Sequence, residues 1–348
     1  MDDFSGLDAT SRRLALAVLR QGPISRAELR GRLGLSAPSL TRLAKPLVAR
    51  GLLVEGEPVG PVTTGRPSVP LDVDSTRGHF LGVKFVPGRM FVVLTDLKGT
   101  VLESRVADSD FGDPANAVEA VATVVDQVRR RPDGIGISLG ASVRDAGLVC
   151  EAGFMGWPDV RLAELVRRRT GLPCVVENDV TALALAEHWF GFGRGVRDFL
   201  VVTLGAGVGA GLVCEDELVR GHRGRAGMIG GLVLHDGRRL HQVVETAAIQ
   251  ARLADEPLAV VLADVAGAMG ELIGQLCLVS APARVLLSGE GLELLSGAER
   301  APVTRALLAG ISRYTQLEPE QLRVEPLDFA EWARGSAAMA IRAHMAAE

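Results

Sequence analysis

Residues 199–214 read FLVVTLGAGVGAGLVC, and this stretch decides how the body of the chain is read. Phe199–Leu204 is a continuous apolar run of strand length, and Gly211–Cys214 is its return. Between them Gly205, Gly207 and Gly209 alternate with Ala206 and Val208. Glycine there permits a tight turn whose backbone N–H groups a ligand can approach. Upstream, Cys174–Glu177 reads as another strand, and Asn178-Asp179 opens a helix through Trp189. Further upstream, Phe80–Phe85 and Met90–Asp96 are strands about the turn Val86–Arg89, and Val101–Val106 is a third. Pro114–Arg130 is a helix, Gly134–Leu139 a buried strand and Val160–Arg169 a helix. Strands and helices mixed in this way predict an α/β body.

The first seventy residues differ. A helix capped by Thr10 or Ser11 carries Leu14, Ala15, Val18 and Leu19 at helical spacing and stops at Gly22-Pro23. Ser25 with Glu28 forms a capping box for a second helix that ends at Gly34. Ser36 caps a third, with Pro38 in its first turn and Leu40, Leu43, Leu47 and Val48 as its apolar stripe. Pro46 is expected to bend this helix. The short turn between the second and third helices is that of a helix-turn-helix, whose second helix enters the major groove. Ser36, Pro38, Ser39, Thr41, Arg42 and Lys45 occupy the groove-facing side. Leu52–Glu55 and Ser68–Val73 then read as a hairpin, and the tip Thr64-Gly65-Arg66-Pro67 offers Arg66 either to a minor groove or to solvent. The predicted architecture is a winged helix-turn-helix over residues 1–74 followed by a body over 75–348.

Charge agrees with this division. The chain has 348 residues and a net charge of -4. Residues 11–50 hold nine Lys and Arg against the single acid Glu28, so this segment carries +8 and the remainder -12. A basic head on an acidic body suits double-stranded DNA as partner. Cys150, Cys174, Cys214 and Cys277 lack the spacing of a zinc site and read as buried thiols of a reducing cytoplasm. The acidic N-terminus has no apolar core for a signal peptide, and no run of eighteen apolar residues is present to span a membrane.

Four stretches of the body resemble the ROK family of repressors and sugar kinases, within the actin/hexokinase-like ATPase fold. Gly156–Val160 is similar to that family's LGW segment, and Val176–Glu187 to its ENDANAAALAE. Leu204–Gly211 is similar to LGTGVGGG, and Leu286–Gly291 to the late glycine turn beside the adenosine pocket. The head resembles the winged helix of ROK regulators, where TGRP at the wing tip recurs. The resemblance implies a two-lobed body, a homodimer or homotetramer, and a sugar or sugar-phosphate effector. Carried over residue by residue, it implies effector contacts at Trp157, Asn178, Asp179, Gly205, Gly207, Arg225 and Glu245. Asp179 stands where the family has its general base, although an acid there also serves as a helix cap.

The departures from the family matter as much. Where a kinase has D-x-G-G-T for phosphate and magnesium, this chain has Lys84-Phe85-Val86-Pro87-Gly88. Lys84 replaces the metal-binding acid, and Pro87 removes a backbone donor. Ala206 replaces a hydroxyl residue in the second phosphate loop. Arg225-Ala226-Gly227-Met228 replaces E-x-G-H, and the zinc cysteines are missing between Leu234 and Glu245. His235 and His241 could ligate a metal, but two His make a poor site. The sequence therefore predicts a regulator, not an enzyme, with neither zinc nor ATP and magnesium retained. The rival readings are an active sugar kinase with an accessory DNA domain, and a ligand-independent regulator.

Overall fold

The computed structural model describes residues 4, 6–58, 68–295 and 300–346. The chain divides into two compact units. The first comprises the described residues up to Leu139, then Ala146–Glu177 and the C-terminal segment from Ala333; the second comprises Gly140–Asp145 and Asn178–Trp332.

The head lies in the first unit. Helices α1 (Ala9–Gln21), α2 (Arg26–Leu33) and α3 (Ala37–Ala49) are followed by the antiparallel strands β1 (Leu53–Glu55) and β2 (Leu71–Val73). The cap of α1 is Asp8, two or three residues earlier than the hydroxyls read from sequence; its carboxylate accepts the Thr10 and Ser11 N–H groups. These bonds hold the Asp8 carboxyl below its ordinary range. The Ser25–Glu28 capping box forms as expected, and Gly34 ends α2 in the left-handed region at φ 66°. The buried stripe of α3 is Leu40, Ala44 and Leu47; Leu43 and Val48 are only half-buried. Pro46 does not end α3, which runs on to Ala49. Ile24 exchanges two backbone hydrogen bonds with Leu71, an isolated antiparallel bridge that ties the segment before α2 to β2.

The sheet of the first unit has five strands, in the order Cys174–Asn178, Gly134–Leu139, His79–Val86, Arg89–Asp96, Val101–Asp108. His79–Val86 runs antiparallel to Arg89–Asp96 and parallel to Gly134–Leu139. Pro87-Gly88 forms the two-residue turn between the first pair, with Gly88 at φ 72°. The helix read as Pro114–Arg130 ends at Gln127, and Val160-Arg161 is a short strand before the helix Leu162–Thr170. The C-terminal helix Phe329–Ala346 lies on this sheet through its second half. A Cβ on Gly82 would meet the Ala333 carbonyl, and one on Gly136 the Ser336 carbonyl. Ser336 Oγ donates to the Val83 carbonyl at 2.9 Å and bonds the Ser138 hydroxyl at 2.7 Å, both out of water. At the end of this helix His344 packs edge-on against Phe80 and Phe4, and Arg12 of α1 donates to the Ala346 carbonyl at 3.0 Å.

The second unit repeats the strand plan. Its order is Glu217–Leu218, Val208–Cys214, Phe199–Leu204, Arg284–Ser288, Leu322–Val324. As in the first unit, an antiparallel meander starts from the central strand, and later strands add on the other side. The return strand of the glycine hairpin begins at Val208, earlier than the Gly211 read from sequence, so the turn is only Gly205–Gly207. Helix Leu258–Ser280 is long and apolar enough by composition to cross a bilayer, although its apolar residues are interrupted by polar ones. It packs instead as a core helix, most of it buried against the sheet and helix Arg300–Ser312. Gly270 and Gly310 let those two helices touch backbone to backbone.

Candidate DNA-binding face and effector site

The exposed side of α3 has two kinds of polar group. Ser36 Oγ accepts the Ser39 N–H at 3.3 Å and bonds the Ser39 hydroxyl at 2.9 Å. Thr41 donates back to the Ala37 carbonyl at 3.0 Å. These hydroxyls and Pro38 shape the start of the helix, where the dipole also favours an anion. Arg42 and Lys45 are exposed and enter no ion pair among the described residues. Two unspent cations one helical turn apart fit successive phosphates or a base edge with a phosphate beside it. Arg66 lies outside the described residues, as do Thr64, Gly65 and Pro67.

Contacts that sequence reasoning missed brace this face. Arg26 donates to the Val69 carbonyl at 3.0 Å and pairs with Glu55 at 2.5 Å, tying α2 to both sides of the hairpin. Arg77 donates to the Arg50 carbonyl at 3.2 Å, which places a cation on the C-terminal end of α3. Lys98 pairs with Asp72 of β2 at 2.7 Å, with both side chains partly buried. None of these pairs is near in sequence, so no local pattern announces them.

Among the effector candidates, Trp157 is 6% exposed and its indole N–H donates to the Phe111 carbonyl at 2.6 Å. Its ring stands edge-on to Phe85. The indole thus packs the core of the first unit with its one donor spent. The other candidates lie in the second unit. Asn178 is the actual cap of helix Asp179–Phe190: its Oδ1 accepts the Thr181 N–H at 3.1 Å and its Nδ2 donates to the Ala141 carbonyl at 3.1 Å. Asp179 is the first helical residue, half-buried, and accepts its neighbour's Val180 N–H at 2.9 Å. Arg225 is exposed on the loop that includes Gly227, where the Ala210 carbonyl allows no side chain. The Glu245 carboxylate is half-buried and accepts no hydrogen bond among the described residues. Burial raises its pKa, with the nearby His241 opposing. It is an acceptor still available to a ligand hydroxyl. Gly205 and Gly207 form the turn of the glycine hairpin, where the Ala206 N–H is already donated to Glu290.

The loop that carries zinc ligands in the resembling family is held here by charge. His235 bonds Glu271 through Nδ1 at 2.5 Å and through its backbone N–H at 2.6 Å. Its Nε2 meets the Arg313 guanidinium at 2.6 Å, so Nδ1 carries the proton and Arg313 donates to Nε2. Tyr314 and Gln275 also donate to the buried Glu271. Arg238 forks onto both oxygens of Asp264 at 2.7 and 2.8 Å, which holds the Asp264 carboxyl below its usual range. Arg252 reaches the same carboxylate at 2.6 Å. His241 donates to the Gly230 carbonyl at 2.8 Å. His235 is therefore spent at both ring nitrogens and His241 at Nδ1, and no cluster of three metal-ligating side chains occurs among the described residues.

Known proteins can be set beside this geometry. The ROK family model matches residues 87–246. The xylose repressor of Caldicellulosiruptor bescii is 28% identical over 60% of this chain and 54% of its own length. The DNA-binding transcriptional repressor Mlc of Escherichia coli is 28% identical over 60% of this chain and 53% of its own. A glucokinase of Streptomyces coelicolor is 33% identical over 44% of this chain and 49% of its own. The chain thus spans little more than half the length of the repressors it matches. Among solved structures, a ROK family transcriptional regulator homologous to Mlc of E. coli superposes with TM-score 0.73 at 22% identity, covering 97% of this chain and 96% of that one. A ROK glucokinase from Streptomyces griseus, in complex with glucose and AMPPNP, gives TM-score 0.64 at 20% identity over 76% of this chain and all of its own. The fold is the two-lobed actin/hexokinase-like one with an N-terminal winged helix-turn-helix.

Proposed function

Because the chain carries a ROK-family domain, we propose that it is a DNA-binding transcriptional regulator of sugar-related genes, with residues 1–74 as the DNA-binding domain and 75–348 as the ROK domain. The observation that carries this reading is the braced α3 face, on which Arg42 and Lys45 stand exposed without ion-pair partners among the described residues. A basic helix at the front of an acidic chain gives affinity for duplex DNA that falls as salt rises. The body pairs two copies, or four, so that two heads meet a pseudo-palindromic operator, in the cytoplasm. The ROK domain has given up phosphoryl transfer: Lys84 and Pro87 stand where magnesium and phosphate need an acid and a glycine. It serves as a sensor, with the Glu245 carboxylate and Asp179 as acceptors for sugar hydroxyls and Arg225 for an anionic substituent. A sugar or sugar phosphate that prefers one state of the body changes operator affinity by the same factor by which DNA changes effector affinity.

The test is binding of purified protein to promoter fragments by fluorescence anisotropy from 50 to 300 mM salt, with and without a panel of sugars and sugar phosphates. The expected result is a linear fall of log affinity with log salt and a shift with one effector class. Sugar phosphorylation from ATP, without salt-sensitive DNA affinity, would overturn the reading.

The proposal also dispenses with zinc. Chelator is expected to leave the melting temperature unchanged, because charge pairs hold the 234–245 loop. Arg238→Ala is expected to cost about 1 kcal/mol, since its side chain is 43% exposed and its charge partly screened. A chelator-induced drop of the kind seen when a structural metal is removed would sink this part.

A further inference from the structure

The two glycine turns of the second unit lie side by side. Gly205–Gly207 follows strand Phe199–Leu204, and Gly289–Gly291 follows its parallel neighbour Arg284–Ser288. Ligands of α/β sheets bind outside the carboxyl ends of such strands. The turns are locked together: Gly291 donates to the Leu204 carbonyl at 2.9 Å, and Gly289, at φ 107°, lies where a Cβ would strike the Leu204 backbone. Backbone N–H groups in a glycine turn at this place suit an anion. In this chain one is already there. Glu290 Oε1 accepts the Ala206 N–H at 2.9 Å, and its carboxylate lies against Gly205 so closely that a Cβ on Gly205 would run into it. A phosphate approaching Ala206 must displace this carboxylate and then face its charge.

A nucleoside triphosphate therefore does not fit the residues present. We propose that Glu290 is an internal anion that closes this turn to phosphate groups, and that removing its charge reopens the turn to a phosphoanhydride ligand. This goes beyond loss of catalysis at Lys84 and Pro87, since it concerns binding and acts in the other unit. A carboxylate that merely braced the turn would be replaceable by its amide with no change in ligand binding; one that excludes phosphate would not.

The experiment is equilibrium dialysis of the full chain with magnesium ATP and, separately, with inorganic tripolyphosphate, for the parent, Glu290→Gln and Glu290→Gly. The expected result is no saturable binding to the parent in the millimolar range and at least a tenfold gain in Glu290→Gly, with Glu290→Gln in between. Tripolyphosphate should follow the same order, because the turn reads phosphate and not the base. Equal binding by parent and variants overturns the proposal, and so does absence of binding in all three. If the glycine variant melts early, the amide variant carries the comparison. The readout involves no DNA, so failure of the regulator reading leaves it interpretable.

Discussion

The Arg42→Ala, Lys45→Ala double variant is expected to bind an operator about 100-fold more weakly than the parent, and with a salt dependence shallower by about one to two in log–log slope. The magnitude follows from what the two side chains do in the free protein, which is little. Both are exposed and neither enters an ion pair among the described residues, so truncation removes no contact that stabilises the fold. Surface changes of this kind stay within about 0.5 kcal/mol of stability, and the melting temperature serves as the control. Each lost phosphate contact takes about 0.9 from the slope, and a lost base-edge contact costs about 1–3 kcal/mol. The single variants separate these roles. A residue that touches only phosphate weakens all sequences alike, whereas one that reads a base weakens the operator more than random DNA. Thr41→Ala is the comparison, because the Thr41 hydroxyl already donates to the Ala37 carbonyl. An unchanged affinity in the double variant, with an unchanged melting temperature, would remove α3 from the interface.

What the sequence made legible was whatever is written in short range. The Ser25–Glu28 capping box, the glycine stops and the alternation of strands and helices are local, and they appear where the residues imply. Boundaries slipped where two good signals competed. Asp8 outbid Thr10 and Ser11 as a cap because a carboxylate satisfies two N–H groups at once. Asn178, not Asp179, capped the next helix because its amide also had the Ala141 carbonyl to meet. Ala44 is buried in the stripe of α3, while Leu43 and Val48 are only half-buried. The site was less legible for one reason: its decisive contacts join residues far apart in the chain. Glu290 reaches Ala206, Arg238 reaches Asp264, and Lys98 reaches Asp72. A sequence shows that these residues are charged, but not which of them has already been spent.

The largest effect on stability is expected from Gly136→Val, with a loss of about 3–5 kcal/mol. Gly136 is fully buried in the central part of the first sheet, and the Ser336 carbonyl lies where its Cβ would be placed. The obstacle is backbone of a packed helix, not the end of a flexible side chain, so relief requires the helix itself to move. Overpacking a core typically costs about 1–3 kcal/mol. Lifting the helix also stretches the buried bonds of Ser336 to Val83 and Ser138, and leaving such groups unpaired adds about 1–3 kcal/mol. The same helix ends against Phe80 and Phe4 and receives Arg12 of α1 at Ala346, so its displacement also loosens the seat of the head. The far-ultraviolet melt of Gly136→Val should fall by about 10 °C, at roughly 2–4 °C per kcal/mol for a domain of this size. Operator affinity measured below that melt should fall too, which a variant damaged only in its sheet would not show. Gly136→Ala gives the graded check, since even one methyl group meets the carbonyl. A melt within about 1 °C of the parent for both variants would mean that the helix does not lie on this sheet as described.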